Sequence, residues 1–241
     1  MRFDRNVPRN PHLIIYAERC RQERKKRNRM IFKEFDFKKR LRLSISEAWN
    51  IFQHKVGNGL IDINKEASMQ LHYAYILNNL IPLIIFQKNE SIIINLEQTI
   101  KFQDNSSNEV DLILIGNDGN SEYKIAVEMK CYREIASSGN KRGAVDIFFK
   151  DVYVDLEILE KYIFNNKCNE TVFLCMHDMK RLAYPENKNS KYWDYDISNN
   201  FVLKGPKNIQ TPIGGKNQNI TIQNNYDFKW NNSGNFYFLE L

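Results

Sequence analysis

Two short apolar runs, residues 109–115 (EVDLILI) and 124–130 (KIAVEMK), flank a polar turn that contains Gly116, Asn117, Asp118, Gly119 and Asn120. Such runs around a Gly/Asn/Asp turn predict a β-hairpin. With the turn centred near Gly119 and Asn120, Ile115 faces Lys124 and Asp111 faces Glu128. Directly opposed side chains on one sheet face lie about 4.5–5.5 Å apart at Cβ, a spacing at which two carboxylates repel. The pairing is costly unless something positive sits beside them. Side chains alternate faces along a strand, so Glu128 and Lys130 point the same way, separated by roughly 6.5 Å of rise. Three charged groups therefore interrupt otherwise apolar strands, where charge is expensive to bury without a partner or a metal.

The flanking segments carry a different period. Residues 44–56 and 64–80 read as helices, with Ile45, Trp49, Phe52 and Val56 and then Met69, Tyr73, Ile76 and Leu80 at helical spacing. A Gly57-Asn58-Gly59 turn separates them. Asp62 or Asn64 can cap the second helix, Glu66 falls in its first turn, and Pro82 is expected to help end it. Residues 91–99 form a further strand. After the hairpin, residues 144–164 give the clearest helix, with Val145, Phe149, Val152, Leu156, Leu159 and Ile163 on one stripe. Residues 171–176 read as another strand. Beyond Pro185 the chain is rich in Asn, Gly and Pro, and only residues 219–223 and 236–239 are strand-like. The fold class is α/β, a mixed central β-sheet flanked by helices, in one domain of residues 43–241 with a core at 64–176 and an extension at 177–241.

Residues 1–42 form a basic N-terminal arm. They hold 15 of the 35 Lys and Arg but 5 of the 29 Asp and Glu, a balance of +10 that leaves −4 for the remainder. The arm is densest around Arg24, Lys25, Lys26 and Arg27, and suits a polyanion partner that exchanges for counterions. It equally suits a solvated helical segment. The longest apolar run, residues 80–86, contains Pro82 and is far short of the roughly 18 residues of a membrane span. No apolar secretory signal opens the chain, so a cytoplasmic location is expected. Four scattered cysteines and four scattered histidines signal neither zinc nor disulfides. Gly214-Gly215-Lys216 lacks the remainder of a phosphate-binding P-loop, so no nucleotide cofactor is expected. His177-Asp178 reads as a hydrogen-bonding histidine at a strand end.

Oxygen ligands without nearby His or Cys favour a hard ion, Mg²⁺ or Mn²⁺. An Asp/Glu/Lys salt-bridge network on a solvated sheet face has the same D…E-x-K spacing. The order helix, strand, strand with Asp, strand with Glu-x-Lys, helix, strand over residues 64–176 resembles the restriction endonuclease-like core of the PD-(D/E)xK nucleases, with Val110 where the motif's name has proline. The resemblance implies that Asp111 and Glu128 hold Mg²⁺, with Mn²⁺ substituting, and that Lys130 positions or activates the attacking water. It also implies a further catalytic, metal-holding acid from the helix before the sheet, for which Glu66 is the candidate, with Gln70 one turn later. The loop of residues 131–143 and the helix after it supply candidate DNA contacts in Lys141, Arg142, Lys150 and Tyr153, whereas Asp155 and Glu157 read as a solvated helix face. The implied activity is Mg²⁺-dependent DNA cleavage, by a type II restriction-like endonuclease acting as a homodimer. A repair, junction-resolving or defence nuclease, or a DNA-binding protein on this fold that does not cut, are the alternatives.

Overall fold

The computed structural model describes residues 35–136 and 138–241, and the compact unit within them runs from Phe37 to Leu241. The arm residues Arg24, Lys25, Lys26 and Arg27 lie outside the described residues. Helix α1 (Phe37–Gly57) starts well before residue 44, because Phe37, Arg40 and Leu41 carry its buried face upstream. Lys38, Lys39 and Arg42 interrupt that stripe in the sequence and disguise it. Arg40, counted among the arm's cations, is buried: its guanidinium pairs with Glu90 at 2.5 Å and also donates to the Ile84 carbonyl. The folded domain therefore begins at residue 37 rather than 43. Helix α2 (Glu66–Ile84) ends two residues past Pro82, rather than at residue 80. Proline forfeits only its own N–H there, and burial of Ile81 and Ile84 holds the last turn in place.

The period-two segments form β1 (Ser91–Lys101), β2 (Ser107–Asn117) and β3 (Glu122–Tyr132), each slightly longer than its apolar run. They pair as an antiparallel meander, and the β2–β3 register sets Ile115 against Lys124 and Leu112 against Val127. The expected hairpin register is the observed one. Helix α3 (Val145–Phe164) then crosses over to β4 (Glu170–His177), which lies parallel to β3; a parallel neighbour requires such a crossover. Antiparallel β10 (Phe236–Glu240) and β9 (Asn231–Ser233) complete a six-stranded mixed sheet in the order β1-β2-β3-β4-β10-β9.

Helices cover both faces. On one, Trp49 of α1 packs edge-on to Tyr73 of α2 and Phe238 of β10, at 5.9 and 5.6 Å between ring centres. On the other, Phe149, Val152 and Leu156 of α3 share a core with Ala126, Phe173, Cys175 and Leu239. Phe238 and Leu239 thus point to opposite sides, as successive strand residues must. The end of α1 docks so closely on the β9–β10 turn that neither Gly57 nor Gly234 has room for a side chain.

The segment after β4 adds a helical turn, α4 (Lys180–Ala183), a 3₁₀ turn (Lys191–Tyr195) and two ribbons, β5 (Phe201–Leu203) with β8 (Tyr226–Phe228) and β6 (Lys207–Ile209) with β7 (Ile220–Ile222). Leu203, Ile209, Ile220, Ile222 and Phe228 of these ribbons join the core beneath α3. Glu157 accepts the Thr221 N–H at 2.7 Å, and Glu160 accepts those of Gln223 and Asn224 at 2.8 Å each. Glu157, expected on a solvated face, is an anchor for β7. No described helix is long and apolar enough to cross a membrane.

Candidate active site

The β2–β3 ladder stops one step short of Asp111 and Glu128, and the cause is a side chain. Asp111 Oδ2 accepts the Met129 N–H at 2.6 Å, in place of a backbone carbonyl. Glu128, which the same register puts opposite Asp111, is buried and accepts from the Tyr162 hydroxyl at 2.9 Å. The two carboxyls lie close enough to share a hydrogen bond when one is protonated. Lys130 follows on the same face, its Nζ 3.1 Å from Asp155 Oδ2 and 3.6 Å from Glu66 Oε2. Glu66 reaches in from the first turn of α2 and also accepts the Cys131 N–H at 3.2 Å. The four residues singled out in the sequence, Glu66, Asp111, Glu128 and Lys130, are thus brought together where β2 and β3 separate.

Four carboxylates surround one ammonium, and burial makes that imbalance expensive. Desolvation is the largest influence on each raised acid. It pushes Glu128 up to about 9, helped by repulsion from Asp111 and Asp155, and pushes Asp155 to about 7 against the pull of Lys130. Asp111 rises to about 6, its bond from Met129 partly offsetting burial. Asp111 and Glu128 titrate as a pair, so a proton stays on it at neutral pH. Burial alone would lower Lys130, but Asp155 and Glu66 outweigh it and hold the ammonium charged above its ordinary range.

Asp155 corrects the sequence reading. It is buried rather than solvated, and its Oδ2 meets Lys130 without the alignment of a hydrogen bond. Tyr153 is also misassigned as a nucleic-acid contact: it is fully buried, and its hydroxyl donates to the Asp196 carbonyl at 2.7 Å. Lys150 forms an ion pair with its neighbour Asp151. Lys141 is largely exposed, 3.8 Å from Glu134, and the Arg142 guanidinium lies 5.6 Å above the Tyr132 ring. Both remain at the loop that follows the E-x-K strand. His177 is wholly buried among Phe148, Trp230 and Tyr237, accepts the Met179 N–H at 3.3 Å, and is pushed down to about 3 by desolvation.

Sequence reasoning missed Tyr162, which looks like one more apolar stripe residue, and Glu97. Gln70 Nε2 donates both to the Asp111 carbonyl at 2.7 Å and to Glu97 Oε1 at 2.6 Å. Glu97 adopts φ 51°, a left-handed backbone in the middle of β1. No composition signal announces such a conformation.

The donor set fits a hard cation in one way. Asp111 and Glu128 are two carboxyls raised by burial, Glu128 also by Asp111, and Mg²⁺ commonly takes one or two carboxylates, completing its shell with water and substrate. Among the described residues no three His, Cys, Asp or Glu side chains form a ready-made metal cage. Compared with protein-family models, curated proteins and solved structures, the chain matches none.

Proposed function

We propose that the chain is a metal-dependent endonuclease of the PD-(D/E)xK type that hydrolyses DNA phosphodiester bonds at Asp111, Glu128 and Lys130. The observation that carries the reading is the pair of half-buried Asp111 and buried Glu128, set opposite one another by the hairpin register, with the Lys130 ammonium on the same face. A salt-bridge network on a solvated sheet face would leave these acids hydrated and near their ordinary acidity.

Asp111 and Glu128 would hold Mg²⁺, which when bound polarises a phosphate and acidifies an attacking water. Tyr162 fixes the Glu128 carboxylate through the hydroxyl bond, and the Met129 N–H fixes that of Asp111. Both ligands are thereby oriented before substrate arrives. Lys130, kept protonated by Asp155 and Glu66, suits electrostatic stabilisation of a phosphoryl group and orientation of the nucleophile, not proton abstraction. Glu66 steers that ammonium. Lys141 and Arg142 lie beyond the end of β3, where they can meet phosphates flanking the scissile bond.

Within this class we favour a type II restriction-like enzyme that cuts a palindrome as a homodimer, since a two-fold symmetric site calls for two copies of the chain. Plasmid DNA incubated with the protein and Mg²⁺ should give discrete fragments, and the Asp111→Asn variant should give none. Cutting confined to branched or damaged DNA would select the repair or junction-resolving alternative. Binding of DNA without any cutting under Mg²⁺ or Mn²⁺ would overturn the enzyme reading.

A further inference from the structure

A cavity of about 470 Å³ opens between α4 and the 3₁₀ turn, lined by Lys180, Arg181, Tyr184, Tyr192 and Trp193. Its volume is that of a small-molecule site. Lys180 and Arg181 are exposed and have no ion pair among the described residues, whereas nearby Lys188 and Arg133 are paired with Asp196 and Asp178. Two cations free of protein carboxylates on one rim suit a phosphate.

The aromatic wall is braced from behind. Tyr192 and Trp193 lie 4.9 and 5.0 Å from Phe149 of α3, and Tyr184 lies 5.9 Å from Tyr237 of β10. Tyr184 nevertheless keeps 44% of its surface exposed. Rings held in place by the core are ready to stack on a flat ligand without a large ordering cost. Glu186 and Asn187 also line the cavity, offering an acceptor and a mixed donor–acceptor for the polar edge of a base.

The chain that enters α4 is tied to the loop that leaves the E-x-K strand. Arg133, just past β3, donates to Asp178 just past β4 at 2.7 Å, and the Glu134 N–H donates to the other Asp178 oxygen at 2.7 Å. Bases within a duplex stack on their neighbours, so only an unpaired or extruded base can present its face to such a wall.

We propose that this cavity binds one unpaired nucleotide of a nucleic-acid strand, with its phosphate on Lys180 and Arg181 and its base on the wall formed by Tyr184, Tyr192 and Trp193. The choice of a nucleic-acid strand as ligand rests on the nuclease reading of the acid site at Asp111 and Glu128.

The test uses the full chain in chelator, where no cutting occurs. Probes are a single-stranded oligonucleotide carrying one 2-aminopurine, the matching duplex, and free deoxyadenosine monophosphate as competitor. On adding the protein, 2-aminopurine emission from the single strand should be quenched by stacking, while the paired base of the duplex should respond little. Tyr184→Ala should abolish the quench and weaken single-strand binding about tenfold. The Lys180→Ala/Arg181→Ala double variant should lower the slope of log K against log salt by about 0.7, one phosphate contact's worth. Both changes sit at exposed positions, and unchanged melting temperatures will confirm folding. Wild-type affinity and quench in these variants would overturn the proposal, as would displacement by the free nucleotide at concentrations comparable to the oligonucleotide's. Parallel incubation of wild type with Mg²⁺ and plasmid separates the two readings: absence of cutting with intact Tyr184-dependent binding supports this site while removing the nuclease assignment.

Discussion

An isolated glutamate is ionised at neutral pH, whereas Glu128, raised by burial and by Asp111 and Asp155 to about 9, keeps its proton there when no divalent ion is bound. The unfolded chain releases that proton near 4.5, so between these values the folded state binds more protons and stability falls as pH rises. Asp111 and Asp155, raised to about 6 and about 7, act with the same sign over the lower part of the interval. His177 acts oppositely. Held neutral by desolvation down to about 3 against an ordinary 6.5, it withdraws stability as pH falls through that range. Glu128→Gln supplies a permanently neutral side chain of the same shape. In chelator its melting temperature should therefore decline less than that of wild type between about pH 5 and pH 9, and parallel declines would show that Glu128 is not the titrating group. Lys130 supports a second prediction at this scale. Lys130→Ala should bind DNA nearly as well as wild type but cut about a hundredfold more slowly or worse, as when a donor to a developing charge is removed. Cleavage within a few-fold of wild type would sink the role assigned to the E-x-K lysine.

At the scale of elements, the boundary of the basic arm is itself testable. Removing residues 1–34 should weaken nucleic-acid binding and flatten its salt dependence, because Lys and Arg contacts with phosphate set that slope, while leaving the melting temperature of the domain in place. Removing residues 1–42 should do more damage. That cut takes away Phe37, Leu41 and Arg40 and leaves Glu90 buried without its partner, a loss on the order of 3 kcal/mol. Equal melting temperatures for the two truncations would contradict the placement of Arg40. The same element shows where the sequence was hard to read: a helical stripe was hidden by cations that flank it, and one of those cations turned inward. The hairpin was legible because two apolar runs and a Gly-Asn turn leave little choice of register, and α3 because its stripe persists over five turns. Of the ribbons, β7 was legible in the strand-like residues 219–223, whereas β5, β6 and β8 were not, since strands of three residues carry no period. The site was legible to the same extent. Its β2 and β3 residues followed from register, while Asp155 sat among polar helix positions and Glu97 depended on a left-handed backbone.

For the molecule as a whole, the proposed metal site would make folding and metal capture one equilibrium. On that reading a divalent ion at Asp111 and Glu128 would displace the shared proton, bind the folded state selectively and stabilise it by mass action. Asp111→Asn keeps the shape of the side chain but deletes one of the two charges. In chelator the variant should melt at or above the wild-type temperature, because the repulsion that raises Glu128 is reduced. Amide and carboxylate oxygens both accept hydrogen bonds, so the bond from the Met129 N–H survives the change. With Mn²⁺ the order should reverse: wild type rises by several degrees at saturating ion while the variant hardly responds. A structural ion-pair network predicts another pattern. Asp111 would then serve as a counter-charge to Lys130, and its loss would lower the melting temperature by a similar amount with or without the ion. Melting curves of both proteins in chelator and in Mn²⁺ distinguish the two, and equal metal-induced shifts in wild type and variant would remove Asp111 from any metal site and with it the basis of the nuclease reading.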